Sequence, residues 1–178
     1  MNSLLQRSSE KVIQKAFQTE DYLAKWYRKS AKRFRPYDFG ISFLFEALSE
    51  EEENKKQELL TLVNQIAGVE VGKISDKNNL FISHQIAFEG SNSKHFFVVD
   101  KTMAVTILNK ALESKYATQH FYKKCSLSEL HPSLRMFYER LSLFEKQHAQ
   151  VLEESNERFQ ADHELRSWRS LYGISNGL

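Results

Sequence analysis

The segment LSLFEKQHAQVL, residues 141–152, places Glu145 and His148 three positions apart inside an apolar helical pattern. Residues three apart share one face of a helix, so the carboxylate and the imidazole point in the same direction. Carboxylate oxygens and imidazole nitrogens are ligands for iron, manganese and zinc, and either group is costly to bury without a partner. The pair therefore indicates a metal ion or another polar partner inside the core.

The pattern around this pair occurs twice in the chain. Residues 43–59 align without a gap with residues 136–152, and the aligned pairs include Glu52 with Glu145, and Lys55 with His148. The segments that precede them align through two aromatic pairs, and this alignment places Glu20 opposite Lys115. The repeat predicts two helical hairpins of one design.

Four helices are needed to position these residues. Six glycines and two prolines in 178 residues are few, which favours long helices over many short strands. Apolar periodicity, with breaks at Pro36, Gly40 and Pro132, predicts helices over about 8–34, 39–67, 101–124 and 132–163. We therefore predict one all-α domain, residues 1–178. It is a four-helix bundle of two hairpins joined by a long crossover, residues 68–100, whose weak alternation is compatible with a small β-hairpin, and it ends in a tail at 164–178.

Columns of residues seven apart show which polar side chains face the core. In each predicted helix, the column with the large apolar side chains also carries a charged or polar group. The six groups predicted to point inward are Glu20, Glu52, Lys55, Lys115, Glu145 and His148. Because a buried charge is destabilising unless it is paired or bound to a metal, six such groups at matching heights require a common explanation.

The arrangement resembles the rubrerythrin branch of the ferritin-like superfamily. The segment KAFQTEDYLAKWY is similar to the first helix of that family, and the Glu-x-x-His of residues 145–148 is similar to its last helix. The resemblance covers roughly 8–67 and 101–160, and it implies two bridging irons with oxygen or peroxide chemistry. It also implies roles for individual residues: Glu20 as the ligand from the first helix, Glu52 and Glu145 as bridging carboxylates, and His148 as the second histidine.

Two lysines depart from the family pattern. Lys55 stands where the first histidine belongs, and Lys115 stands where the glutamate of the third helix belongs. A complete site, with four carboxylates and two neutral imidazoles, carries a charge of −4 that two divalent cations balance. Here three carboxylates and two lysines leave −1 without any metal. An ammonium group also repels an incoming dication.

Three interpretations follow. The one we favour is a metal-poor ferritin-like protein whose activity the sequence leaves open, in which Lys55 and Lys115 replace the irons and form a lysine–glutamate network. In the alternative, the lysines turn away and leave Glu20, Glu52, Glu145 and His148 for a single iron, manganese or zinc ion, with peroxidase-like or oxidoreductase activity. The third is a plain bundle in which the polar pair is incidental. The cofactor prediction is accordingly none or one divalent metal, and a full di-iron centre is not expected.

Composition sets the expected surroundings. A net charge of +2 is too small to indicate nucleic acid as a partner, and the basic cluster at residues 25–35 is explained by the dipole of a helix C-terminus. A single cysteine predicts a reducing cytoplasm, and no apolar run indicates a membrane partner. Trp168, Leu171 and Tyr172 lie on one possible helical face of the tail. They suggest a homodimer, although a tail docked within one monomer is equally allowed.

Overall fold

The protein consists of four long helices. The computed structural model describes residues 2–67 and 96–171, with side chains over 10–65 and 96–164. The helices are α1, Asn2–Phe34; α2, Phe39–Ala67; α3, Lys101–Ser128; and α4, Pro132–Leu171. No strand occurs within the described ranges, which confirms the all-α prediction. The hairpin suggested for the crossover, and the side chains of Trp168, Leu171 and Tyr172, lie outside the described residues.

The helix ends follow local capping chemistry. Asp38 Oδ1 accepts a hydrogen bond of 2.9 Å from the backbone N–H of Ile41 in the first turn of α2, and Asp100 Oδ1 accepts one of 2.7 Å from Met103 in the first turn of α3. Each aspartate satisfies an amide that the helix leaves unpaired. Pro132 occupies the first position of α4, where its missing N–H costs nothing.

Three helices are longer than the sequence predicts. α1 begins at Asn2 instead of near residue 8, α3 ends at Ser128 instead of near 124, and α4 reaches Leu171 and so includes the first half of the predicted tail. In the last turn of α3, the hydroxyl of Ser126 donates to the carbonyl of Lys123, and that of Ser128 donates to the carbonyl of Lys124. These bonds stay within the helix and do not compete with it.

The helices form two antiparallel hairpins, α1 with α2 and α3 with α4, which pack more extensively within each hairpin than between hairpins. The same bond joins both hairpins internally. Ser49 Oγ of α2 donates to the carbonyl of Ala24 in α1 over 2.8 Å, and Ser142 Oγ of α4 donates to the carbonyl of Gln119 in α3 over 3.2 Å. Both donors and both acceptors are equivalent positions of the sequence repeat, so the structure supports the repeat.

Contacts between hairpins fix the direction of the helices. Tyr27 of α1 meets Ser114 of α3, and Glu20 of α1 meets Tyr122 of α3, so the two helices are antiparallel. Since α1 is also antiparallel to α2, α2 and α3 run in the same direction. α2 therefore ends, and α3 begins, at opposite ends of the bundle. A long crossover connection produces this arrangement.

The apolar core consists of two clusters that lie one above the other. Each helix contributes residues to both clusters, and a charged residue lies between its two contributions. On α2, Glu52 lies between Leu48 of one cluster and Leu59 of the other, and on α4, Glu145 lies between Leu152 and Leu141. A polar layer thus separates two apolar layers, and the apolar layers fix the helices around it.

Among the described residues, no helix contains a stretch long and apolar enough to cross a membrane.

Candidate functional site

The polar layer contains charged side chains from all four helices. They are Glu20 from α1, Glu52 and Lys55 from α2, Lys115 from α3 and Glu145 from α4. Four of the five have no solvent-exposed surface, and Lys55 is 6 % exposed. Five of the six groups that the sequence predicts to face inward are therefore buried in one layer. Burial this complete requires each group to find its partner within the layer.

Two lysines and two glutamates of this layer form a closed ring of alternating charge. The Nζ atom of Lys55 lies 3.0 Å from Glu52 Oε2 and contacts Glu145 Oε1. The Nζ atom of Lys115 lies 3.0 Å from Glu145 Oε2 and contacts Glu52 Oε1. Each ammonium group is thus within ion-pair distance of both carboxylates. Three of the four contacts are hydrogen bonds, and the contact of Lys115 with Glu145 Oε2 is an ion pair without one. We call these four side chains the ion-pair ring.

The ring explains how four charges tolerate burial. Burial alone favours the neutral forms of Lys55, Lys115 and Glu52, but the opposite charges around each group outweigh it. As a result, the pKa of Glu52 lies well below its usual range, and the pKa values of both lysines lie above theirs. These groups are therefore charged at neutral pH. The removal of one member would leave an unbalanced charge in a buried layer.

Glu20 lies beside the ring without joining it. Its Oε1 accepts a hydrogen bond from the hydroxyl of Tyr122, and its Oε2 is 4.0 Å from Lys55 Nζ. Burial, followed by the negative charge of Glu52, raises the pKa of Glu20 well above its usual range, so this carboxyl keeps its proton. As an ionised carboxylate, Glu20 would leave its buried Oε2 without a partner. As an acid, it can donate a proton from that oxygen to Glu52.

The proton on Glu20 changes the predicted charge of the site. Counting three carboxylates and two lysines gives −1. With Glu20 neutral, the two carboxylates of the ring face two ammonium groups, and the layer carries no net charge. The sequence could not show this, because a protonation state depends on burial and on the distances between charges.

His148 lies at the edge of the layer, where it is partly exposed. Its Nε2 is 2.6 Å from the Oε2 of Glu51, an exposed glutamate of α2, while its Nδ1 is buried without a hydrogen-bond partner. Burial and then the positive charges of Lys115 and Lys55 lower the pKa of His148 to about 3. The imidazole is therefore neutral at neutral pH. Nε2 donates its proton to Glu51, which leaves a lone pair on Nδ1.

One group of side chains has the composition of a metal site. Glu52, Glu145 and His148 each offer a ligand atom, and these atoms lie within 4.8 Å of one another. Both carboxylates, however, already bind the two ammonium groups of the ring. The donor set therefore does not fit two metal ions. It fits a single ion only if the lysines move away.

Two buried tyrosines extend the layer with approximate twofold symmetry. The ammonium group of Lys115 lies over the ring of Tyr27, 5.1 Å from its centroid, and Tyr122 hydrogen-bonds to Glu20. In the repeat, Tyr27 corresponds to Tyr122 and Lys115 to Glu20, so each tyrosine contacts the equivalent group of the other hairpin. The hydroxyl of Tyr27 also lies 2.9 Å from Ser114 Oγ. Both tyrosines are hydrogen-bonded core residues.

The remaining candidates lie outside the layer. Of the four consecutive glutamates at 50–53, only Glu52 is buried, as predicted. Cys125 is buried, and burial raises its pKa to about 12, which opposes a role as a nucleophile. Sequence reasoning missed Glu51 and Ser114. Glu51 lies on the exposed side of its helix and carries no signal in the apolar pattern, whereas Ser114 occupies an inward position beside Lys115.

The comparisons with known proteins assign no family to this chain. A search of family models, of curated proteins and of solved structures finds no match to the chain.

Proposed function

We propose that this chain is a rubrerythrin-like protein of the ferritin fold in which the ion-pair ring takes the place of a di-metal centre, and that it is not an enzyme. The observation that carries the proposal is the closed ring itself. In a di-metal site, two bridging carboxylates each bind two cations, and Glu52 and Glu145 each bind two ammonium groups here. The lysines thus satisfy the carboxylates as two metals do in such a site.

Electrostatics explain why the ring and metal ions compete. At about 4 Å and an effective dielectric near 20, two like unit charges repel by about 4 kcal/mol, and an ammonium group repels a divalent ion by about twice as much. A metal that enters between Glu52 and Glu145 meets two such groups. It must also replace ion pairs that already exist. Metal binding therefore requires both lysines to leave the core.

Without bound metal, the site has no group that reacts with oxygen or peroxide. The two tyrosines are held by hydrogen bonds and by burial, which raises the pKa of each above its usual range. The polar layer then fixes the register of the four helices, because a helix shifted by one turn would leave buried charges unpaired. Under this proposal, the protein would function by binding partners at its surface and not by catalysis in its core.

A second candidate function rests on the unpaired Nδ1 of His148. With Glu52 and Glu145, this histidine can supply three ligands for one iron, manganese or zinc ion. The long side chain of Lys55, which retains a small exposed fraction, can reach towards solvent. Such a site would support oxidoreductase or peroxidase-like activity.

Metal analysis separates the two candidates. Protein purified without chelator should contain well under two metal ions per chain by inductively coupled plasma mass spectrometry. Its melting temperature should not rise when ferrous, manganous or zinc ions are added anaerobically. Recovery of two tightly held irons per chain would overturn the proposal. One retained ion that is lost in the His148→Gln variant would establish the second candidate.

A further inference from the structure

One face of α1, together with the turn that follows the helix, carries a concentration of positive charge. Residues 22–37 contain six lysines and arginines and no acidic residue. Lys25 pairs with Asp21 over 2.5 Å, and Arg33 is turned inward. The other four are exposed and form no ion pair among the described residues: Arg28, Lys29, Lys32 and Arg35. A helix dipole needs cations only in its last turn, so it does not account for Arg28 and Lys29.

Exposed aromatic rings occur at the same end of the bundle. Phe39 and Phe43, one helical turn apart at the start of α2, are 70 % and 63 % exposed, and Phe96 and Phe97 are about half exposed. The segment before α3 is tied to the end of α1, because Arg33 Nε donates to the carbonyl of Phe96 over 2.8 Å. Helices of soluble bundles rarely expose several phenylalanines so close together.

The acidic groups nearby do not cancel the basic face. Asp38 and Asp100 accept hydrogen bonds from the first turns of α2 and α3, where their charges compensate the helix N-termini. The acidic side chains of α4 belong to a helix that makes no close contact with α1 in the described part of the chain. The exposed Glu46 and Glu50 of α2 remain, against four cations that are unpaired among the described residues, so the basic face keeps a net positive charge.

We propose that this end of the bundle docks on the surface of an anionic lipid bilayer. Arg28, Lys29, Lys32 and Arg35 would contact headgroup phosphates, and the rings of Phe39 and Phe43 would enter the interface. Clusters of four or more lysines and arginines on an amphipathic helix bind anionic lipid, and aromatic rings add apolar contact at the boundary of the acyl chains. The inference is independent of the ion-pair ring, and it departs from the expectation that no membrane is a partner.

Lipid fits this surface better than nucleic acid. Nucleic-acid binding at such a face draws mainly on net positive charge, and the whole chain carries only +2. Phe39 and Phe43 are exposed on the outer face of α2 and, within the described part of the chain, do not line a groove. Single-stranded nucleic acid is usually bound along a groove. A flat bilayer can meet a convex end with exposed rings.

Vesicle co-sedimentation tests the proposal with the full chain. Vesicles of phosphatidylcholine with phosphatidylserine should bind the protein, and vesicles of phosphatidylcholine alone should bind it weakly. Binding should fall as salt rises. Lys29→Gln with Lys32→Gln should weaken binding by about 25-fold, since each charge near an anionic surface contributes about fivefold. Phe39→Ser with Phe43→Ser should weaken it by about tenfold or more.

Matched variants on α4 provide the controls. Lys146→Gln and Leu143→Ser change an exposed cation and an exposed apolar residue elsewhere on the bundle, and they should leave vesicle binding unchanged. Equal binding to both kinds of vesicle, or no binding to either, would overturn the proposal. So would tighter binding to a single-stranded RNA oligonucleotide than to the anionic vesicles, since that result would assign the surface to nucleic acid. Circular dichroism checks that every variant is folded.

Discussion

Replacement of Lys115 by methionine tests whether the ring stabilises the fold. The ammonium group is fully buried and binds both Glu52 and Glu145, so Lys115→Met leaves two carboxylates facing one ammonium group. Such a loss typically costs about 3–5 kcal/mol. It also has a ceiling, because a proton can neutralise the stranded carboxylate. Protonation of a glutamate with a pKa near 4.3 costs about 3.7 kcal/mol at pH 7 and about 1 kcal/mol at pH 5.

The expected loss of unfolding free energy is therefore about 3–4 kcal/mol at pH 7 and about 1–2 kcal/mol at pH 5, measured by urea denaturation. Lys115→Met with Glu145→Gln removes one charge of each sign, so it should recover about 2 kcal/mol or more of the loss at pH 7. Lys123→Met, an exposed change on the same helix, should stay within about 0.5 kcal/mol of the parent. A Lys115→Met variant that melts with the parent at both pH values would show that no balanced ring exists.

Three further predictions concern the groups around the ring. Above about pH 4.3, the unfolded chain releases the proton of Glu20, whereas the folded protein keeps it. Below about pH 6.5, the unfolded chain binds a proton on His148, whereas the folded protein does not. Between these pH values the two groups therefore have opposite effects on stability. Relative to the parent, Glu20→Gln should lose stability as pH falls through this window and His148→Gln should gain it, each by at most about 1.4 kcal/mol per pH unit in urea melts; parallel curves would contradict the assigned protonation states. Tyr122→Phe should cost about 1–3 kcal/mol, because it removes the donor to a buried carboxyl oxygen, and an unchanged melting temperature would exclude that hydrogen bond. Lys55→His with Lys115→Glu should be less stable than the parent without metal and should gain melting temperature on anaerobic addition of ferrous iron; the absence of an iron-dependent rise would mean that the six positions do not converge as ligands.

The inward positions could be predicted from sequence because the helical period is strict. On α3, Glu113 and Lys115 are only two residues apart, yet the first is exposed and the second is completely buried. The seven-residue columns assign them to opposite sides for the same reason: two residues correspond to about 200° of rotation in a helix with 3.6 residues per turn. The internal repeat supplied the matching heights.

The partners of these residues could not be predicted in the same way. The period gives the face of a helix but not the rotamer, and His148, at the edge of its column, turns one nitrogen towards Glu51 on another helix. The proton on Glu20 depends on distances to Glu52 and Lys55 that no pattern contains. Helix ends were also missed: α4 continues to Leu171, since residues 133–171 contain neither glycine nor proline to stop it.

The approximate symmetry of the bundle supports the proposal that a metal site and the ring exclude each other. The repeat relates Glu20 to Lys115, so equivalent positions of α1 and α3 carry opposite charges, and Lys115 joins the ring while Glu20 stays protonated beside it. Lys55 supplies the second positive charge. If either lysine alone became a ligand, the other would bind the same two carboxylates and oppose a second ion, and the site would carry a buried imbalance without metal. Under the proposed function, we therefore expect a bundle of this design to be stable either with two lysines and no metal or with two metals and no lysine, so that at least two substitutions separate the two states.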